Sequence, residues 1–124
     1  MEAQDQPAVG YTRDPLDKRR QPRFKIEVKI TVNSRSCGRL KGHTVDISES
    51  GISAMLRIEV PLGELMELEF ILPFGPVNIY AMVRQRNAFR YGFQFVAPNS
   101  AKEMKIIQST CRQLSVEQSL LSEL

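Results

Sequence analysis

The sequence predicts a mainly-β fold: six short strands in an antiparallel barrel or sandwich, followed by one α-helix. Three observations predict it. Apolar and polar residues alternate with period two through much of residues 24–96, the spacing of half-buried strands. Turn signals built on Gly, Pro, Asn and Ser break that alternation at short intervals, with no helical stretch between them. After Pro98 the period changes to that of a helix.

Each element follows in order. Residues 1–15 are polar, contain Pro7, Gly10 and Pro15 and show no periodicity. They are expected to form a disordered or loosely attached tail. Phe24, Ile26, Val28, Ile30 and Val32 alternate strictly with charged or polar residues, which predicts one continuous first strand. The polar run from Asn33 to Gly38 is a turn. A second strand is expected from Leu40 to Ile47 and a third from Ile52 to Ile58, with Gly51 between them. Pro61-Leu62-Gly63 breaks the chain again. Met66, Leu68, Phe70 and Leu72 mark a fourth strand, and Pro73-Phe74-Gly75-Pro76 turns it into a fifth carrying Val77, Ile79, Ala81 and Val83. The sixth runs from Arg90 to Val96, with Tyr91, Phe93 and Phe95 on one side. Ser100 and Glu103 can form a capping box, and Met104, Ile107, Cys111 and Leu114 then recur at helical spacing. Residues 16–115 thus read as the folded domain, and residues 116–124, with Leu120, Leu121 and Leu124, as a helical extension or apolar tail.

Composition narrows the function. At 124 residues the chain is one domain, large enough to bury a real core. Its 42% hydrophobic and 25% charged content is ordinary for a soluble globular protein. The net charge of +3 is modest but uneven. Residues 13–25 hold Arg13, Lys18, Arg19, Arg20, Arg23 and Lys25 against Asp14 and Asp17 alone. That local surplus points to an anionic partner. No apolar run approaches the roughly 20 residues that span a bilayer, and the first residues lack a signal-peptide apolar segment. Cys37 and Cys111 are far apart in sequence, and with one histidine they do not suggest a metal site. A cytoplasmic, reducing setting is the expectation. No nucleophile–base pair is visible, so an enzyme is not expected.

Two segments carry the chemistry. The first is Lys18-Arg19-Arg20-Gln21-Pro22-Arg23; the second is Asp46-Ile47-Ser48-Glu49-Ser50-Gly51. Guanidinium groups are planar, permanently charged forks suited to phosphate oxygens and to stacking on flat rings. A carboxylate, a hydroxyl and a glycine close together offer acceptors, a donor and close backbone access, which suit the edge of a base. Alone, the basic run is usually a solvated patch, and the Asp-x-Ser-x-x-Gly segment is usually a plain turn with a left-handed glycine. Their conjunction favours a ligand carrying both phosphate and base. Arg84, Arg86 and Arg90 flank a turn and are candidates to extend the anion site. His43 reads as a surface or strand-edge residue, Cys37 as a loop thiol and Cys111 as a helix core position.

In these two motifs the chain resembles the PilZ family, whose members carry an Arg-x-x-x-Arg segment before the first strand and an Asp/Asn-x-Ser-x-x-Gly segment between the second and third. Here those are Arg19 to Arg23 and Asp46 to Gly51, both complete. The ending Arg90-Tyr91-Gly92-Phe93-Gln94-Phe95, followed by a helix, also looks like the family's last strand. The resemblance covers roughly residues 16–115. It implies a six-stranded antiparallel β-barrel that binds the bacterial second messenger cyclic di-GMP, with Arg19 and Arg23 on phosphates and guanines. It also implies that Asp46, Ser48 and Gly51 hold a guanine edge and the adjoining phosphate. Arg20 lies between motif positions, where many members also have Arg. Lys18 stands where the family varies its ligand stoichiometry, and a lysine there does not choose between one nucleotide and a stacked pair.

Three function classes follow. The first is a cyclic di-GMP receptor that signals by ordering its N-terminal segment and so acts on a downstream protein partner of unknown identity. The second is a PilZ-like protein-interaction adaptor acting without nucleotide, through the apolar helix and tail. The third is a nucleic-acid-binding barrel, disfavoured because Phe70, Phe93 and Phe95 fall on the expected core face.

Overall fold

The computed structural model describes residues 21–96 and 99–122. The expectation for residues 1–15 lies outside the described residues. In chain order the elements are β1 (Phe24–Lys25), β2 (Lys29–Ser34), β3 (Gly38–Ile47), β4 (Gly51–Leu56), β5 (Leu65–Leu72), β6 (Gly75–Asn87), β7 (Arg90–Phe95) and α1 (Ala101–Ser122). All strand pairs are antiparallel. The order is β1-β3-β2-β5-β6-β7-β4, and a further β3–β4 pairing closes six of the seven strands into a barrel. Closure removes the open edges that a flat sheet would expose.

The alternation read from the sequence becomes the inside and outside of this barrel. Ile30, Val32, Leu68, Ile79, Val83 and Tyr91 point inward and are at most 2% exposed. Their neighbours along each strand are mostly polar and are half-exposed or exposed. Tyr91 brings a hydroxyl into the core and satisfies it: Val60 N donates to it at 3.0 Å, and it donates to Ile58 O. Phe70 and Phe93, at 4% and 3% exposure, are core residues as expected and offer no external stacking platform.

The continuous first strand expected over Phe24–Val32 is corrected. It is two strands, β1 and β2, lying along the same edge of β3. The register passes from Lys25↔Asp46 to Lys29↔His43, so three residues, 26–28, oppose two on β3. This is a bulge. Thr44, only 2% exposed, fills it. Its hydroxyl accepts from Val28 N at 2.9 Å and donates to Ile26 O at 2.5 Å, replacing ladder bonds the bulge breaks. Apolar alternation continues across the bulge, so the sequence does not betray it. The third strand is also shorter than expected, ending at Leu56 and not at Ile58.

The helix begins with one half of the capping box. Glu103 N donates to Ser100 Oγ at 3.2 Å, and the Ser100 hydroxyl donates to the Glu103 carboxylate, which holds that carboxyl below its usual range. Ile106, Ile107 and Cys111 join the barrel core. Further along, the Gln118 side-chain amide both accepts from Lys25 N (3.3 Å) and donates to Lys25 O (2.9 Å), tying the helix to the outer edge of β1. Val116, Leu120 and Leu121 remain 56%, 60% and 66% exposed.

Candidate functional site

On the outer wall of the barrel, β3, β4, β7 and β6 run side by side. The register aligns Asp46 with Ser53 and Ser53 with Gly92, and Gly92 with Gln85 on the far strand. The residues one step along on β3, β4 and β7, Ile47, Ile52 and Phe93, are in the core, so the aligned set faces outward. A groove of about 650 Å³ lies over it, lined among others by Arg23, Arg84, Arg86 and Arg90. Among the described residues, Asp46 is the only acidic one lining this groove.

Arg23 and Arg90 converge on that carboxylate from opposite sides. Arg23 donates from Nε (3.0 Å) and Nη2 (2.8 Å) to Asp46 Oδ1, and from Nη2 to Ser53 Oγ at 3.2 Å. Arg90 Nη2 donates to Asp46 Oδ2 at 2.8 Å. The Asp46 side chain is 14% exposed, those of Arg23 and Arg90 41% and 49%. One negative charge thus holds two positive ones at a half-open surface. Arg84 Nε donates to Gln94 Oε1 at 2.7 Å, while Arg86 turns toward Glu59 at 3.3 Å.

The remaining predicted site residues divide. Ser48 is 1% exposed. Its hydroxyl accepts from Ser50 N at 3.2 Å and Gly51 N at 3.1 Å, knitting the β3–β4 turn together. Gly51 lines the groove's edge. Its backbone is not left-handed, as a plain turn glycine would be; a Cβ there would stand 2.4 Å from Phe93 O, so glycine is required by the close approach of β7. Arg19 and Arg20 lie outside the described residues. Sequence reasoning did not single out Ser53 or Gly92. Only the strand pairing brings them beside Asp46. The Asp46–Arg90 contact spans 44 residues, and its only advance signal was the basic cluster around the β6–β7 turn.

Beneath the site, Cys111 on α1 is buried, and burial pushes its thiol up to about 11; the charge of Glu49 raises it further and that of Arg23 opposes. Among the described residues, no group of three His, Cys, Asp or Glu side chains could hold a metal ion. No helix among them is long and apolar enough to cross a membrane.

The fold and site define a class: a small closed β-barrel with a basic groove on its wall, built around a single carboxylate. The family model of the PilZ domain matches residues 17–113, and the chain belongs to that family. A search of curated proteins returns no match. Among solved structures, the chain is similar to the PilZ domain with c-di-GMP of YcgR from Escherichia coli. The TM-score is 0.67 at 16% identity, covering 86% of this chain and 98% of that one. It is also similar to the PilZ domain of CeSA from a cellulose-synthesizing bacterium, with a TM-score of 0.60 at 15% identity over 74% of this chain and 97% of that one. A third is K. pneumonia MrkH in its apo state, with a TM-score of 0.67 at 17% identity; 90% of this chain is covered, but 55% of MrkH. The chain therefore spans nearly all of the isolated PilZ domains and about half of the longer protein. At these identities the likeness speaks for the fold alone.

Proposed function

We propose that this chain is a cytoplasmic cyclic di-GMP receptor. The observation that carries the reading is the Arg23–Asp46–Arg90 cluster, where two half-exposed guanidinium groups share one carboxylate in a groove with no other acid among the described residues. Cyclic di-GMP brings two phosphate charges and flat purines, which complement that imbalance. Arg19, Arg20 and Arg23 take the phosphates and stack on guanine; Asp46, Ser48 and Gly51 form the opposite edge. Asp46 orients Arg23 and Arg90 in the free protein. Two guanidinium N–H groups already occupy Oδ1 and one occupies Oδ2. A carboxylate has about four acceptor positions, so to accept both N1–H and the exocyclic amine of guanine Asp46 must release one arginine bond. Ser48 acts by holding the turn, and Gly51 by leaving it open.

Binding draws the basic lead-in, residues about 13–23, onto the barrel wall where Arg23 is already anchored to Asp46, and the composite surface so formed meets a downstream protein partner. The packed strands do not deform continuously, so the change is confined to that segment. A second reading, an adaptor that works without nucleotide, is favoured by one observation: the exposed Val116, Leu120 and Leu121 near the end of α1. Calorimetric titration with cyclic di-GMP, against GTP, cyclic di-AMP and a short oligonucleotide, decides between the two. The receptor reading expects saturable binding of cyclic di-GMP in preference to all three. Absence of binding selects the adaptor. Amide exchange in residues 13–23 should slow on saturation; unchanged exchange there refutes the ordering step even if the ligand is right.

A further inference from the structure

One end of the barrel is crossed by residues 57–64, an irregular segment between β4 and β5 that belongs to no strand. We propose that this segment, with the β2–β3 and β6–β7 turns beside it, is a docking surface for an acidic segment of a partner protein that carries apolar anchor side chains. Among the described residues, this surface and the groove around Asp46 share only Arg86. Docking there does not depend on the receptor reading.

The segment is held more firmly than its lack of strand pairing suggests. Tyr91 fixes it from the core, its hydroxyl accepting from Val60 N at 3.0 Å and donating to Ile58 O. Gly63 N donates to Val83 O at 2.8 Å and Val83 N to Glu64 O at 3.1 Å, which ties the segment to β6. The Glu64 carboxylate accepts from the Ser34 and Ser36 hydroxyls, both at 2.6 Å, and from Arg35 N at 2.8 Å, which ties it to the β2–β3 turn. Leu56 N, just before the segment, donates to Phe89 O at 2.9 Å and draws in the β6–β7 turn. That turn puts Ala88 at a φ of 57°, a left-handed conformation unfavourable for a residue with a Cβ. Val60 joins the core, yet Ile58, Leu62 and Phe89 stand 52%, 62% and 47% exposed. A loop whose backbone is pinned while large apolar side chains face water is already ordered for an incoming partner.

Shape and charge define that partner. Cys37, Val60, Pro61, Leu62 and Arg86 line a hollow of about 520 Å³. A hollow receives a side chain, whereas a flat lipid surface would leave it unfilled. Both acids of the region are engaged, Glu59 with Arg86 at 3.3 Å and Glu64 with the two serines. Arg35 and Arg57 are exposed, and their guanidinium groups make no hydrogen bond or ion pair among the described residues. Unmatched arginines around apolar anchors complement carboxylates that flank apolar side chains.

The test is an NMR titration of the isotope-labelled 124-residue chain with a nonapeptide of alternating aspartate and leucine, in the absence of any nucleotide. Amide shifts at residues 35–37, 57–64 and 88–89 should change and saturate. A peptide with lysine for aspartate, and one with serine for leucine, should leave those amides unmoved. Leu62→Ser and Arg57→Glu should each weaken peptide binding about 5-fold or more, with unchanged urea midpoints because both side chains are exposed. Leu120→Ser, exposed near the end of α1, should bind like the wild type. No shift at this end of the barrel, shifts confined to the groove around Arg23 and Arg90, equal binding of either altered peptide, or wild-type affinity in either variant overturns the inference. An equal loss in Leu120→Ser overturns it as well. Sedimentation with phosphatidylglycerol-containing vesicles tests the other anionic surface: binding there that Leu62→Ser removes, with no response to the peptide, makes this a lipid face and overturns the protein partner.

Discussion

Replacing Thr44 with valine tests how the chain is delivered to its site. The change is nearly isosteric and removes one hydroxyl from a position 2% exposed. That hydroxyl accepts from Val28 N and donates to Ile26 O, inside the bulge that separates β1 from β2. A buried N–H left without a partner costs about 1–3 kcal/mol, and a carbonyl is tolerated somewhat better. Together they come to roughly 2–4 kcal/mol, and the added methyl offsets about 0.8 kcal/mol of that. The net loss is about 1–3 kcal/mol, a fall in the urea midpoint of roughly 1–2 M at an m-value near 1.3 kcal/mol/M. Because the bulge lies immediately after Arg23 and Phe24, ligand affinity should fall as well. Amide exchange at Val28 should accelerate in Thr44→Val and stay near wild type in Thr44→Ser, which keeps the hydroxyl. A Thr44→Val protein within about 0.5 kcal/mol of wild type, with Val28 still protected, would refute the account of the bulge.

Arg23→Ala should weaken cyclic di-GMP binding by roughly 1.5–3 kcal/mol, a factor of about 10 to 150, while calorimetric stability hardly moves, because half-exposed ion pairs add little. Asp46→Ala should lower both affinity and the preference for guanine over adenine, read by competition between cyclic di-GMP and cyclic di-AMP. Gly51→Val should lower the unfolding midpoint by about 1–3 kcal/mol in free-energy terms, since its Cβ meets the Phe93 carbonyl at 2.4 Å. At pH 8 a thiol reagent should modify Cys37 in the native protein and spare Cys111. Burial raises the Cys111 thiol from 9.0 to about 11, so its contribution to stability is full below the unfolded value and is lost as pH rises through that interval; Cys111→Ala should flatten that loss in urea titrations above pH 9.

The barrel was legible because period-two alternation reports directly on one buried face, and Ile30 to Val83 obey it strand after strand. The bulge was not legible: Thr44 acts from the neighbouring strand, across a gap of 16 to 18 residues, on backbone atoms that leave no mark in side-chain pattern. The site was legible in part. Arg23 and Asp46 stand in recognisable motifs, and they meet. Gly51 was read as the motif glycine that allows close backbone approach to a ligand; the close approach the structure shows is that of β7, more than forty residues later in the chain. Ser53 and Gly92 are small residues with no chemistry of their own, and they matter only once register sets them in one row. Arg90 was one of three candidate arginines, and sequence alone could not rank them. The structure sets Arg90 against Asp46, whereas Arg86 pairs with Glu59.

If the receptor reading holds, the electrostatics of the groove explain why a carboxylate stands at the centre of an anion site. Without Asp46, Arg23 and Arg90 would repel each other and spread into solvent, and a ligand would have to order both flexible side chains on arrival. With two carboxylates the site would be neutral and an anion would gain little. One carboxylate between two arginines gives an intermediate state. Both forks are held at 2.8 Å, yet one positive charge stays unmatched. The exposure of both arginines keeps the cost of that imbalance small in the free protein, because solvent screens it. On the proposed reading, a phosphate would meet pre-positioned donors, while the release of one Asp46 contact would free an acceptor for the base. Asp46→Asn separates these roles in part: it keeps one acceptor oxygen of the two but removes the charge that holds the arginines. Its affinity should fall between those of wild type and Asp46→Ala, and a value equal to Asp46→Ala would mean that charge alone organises the site.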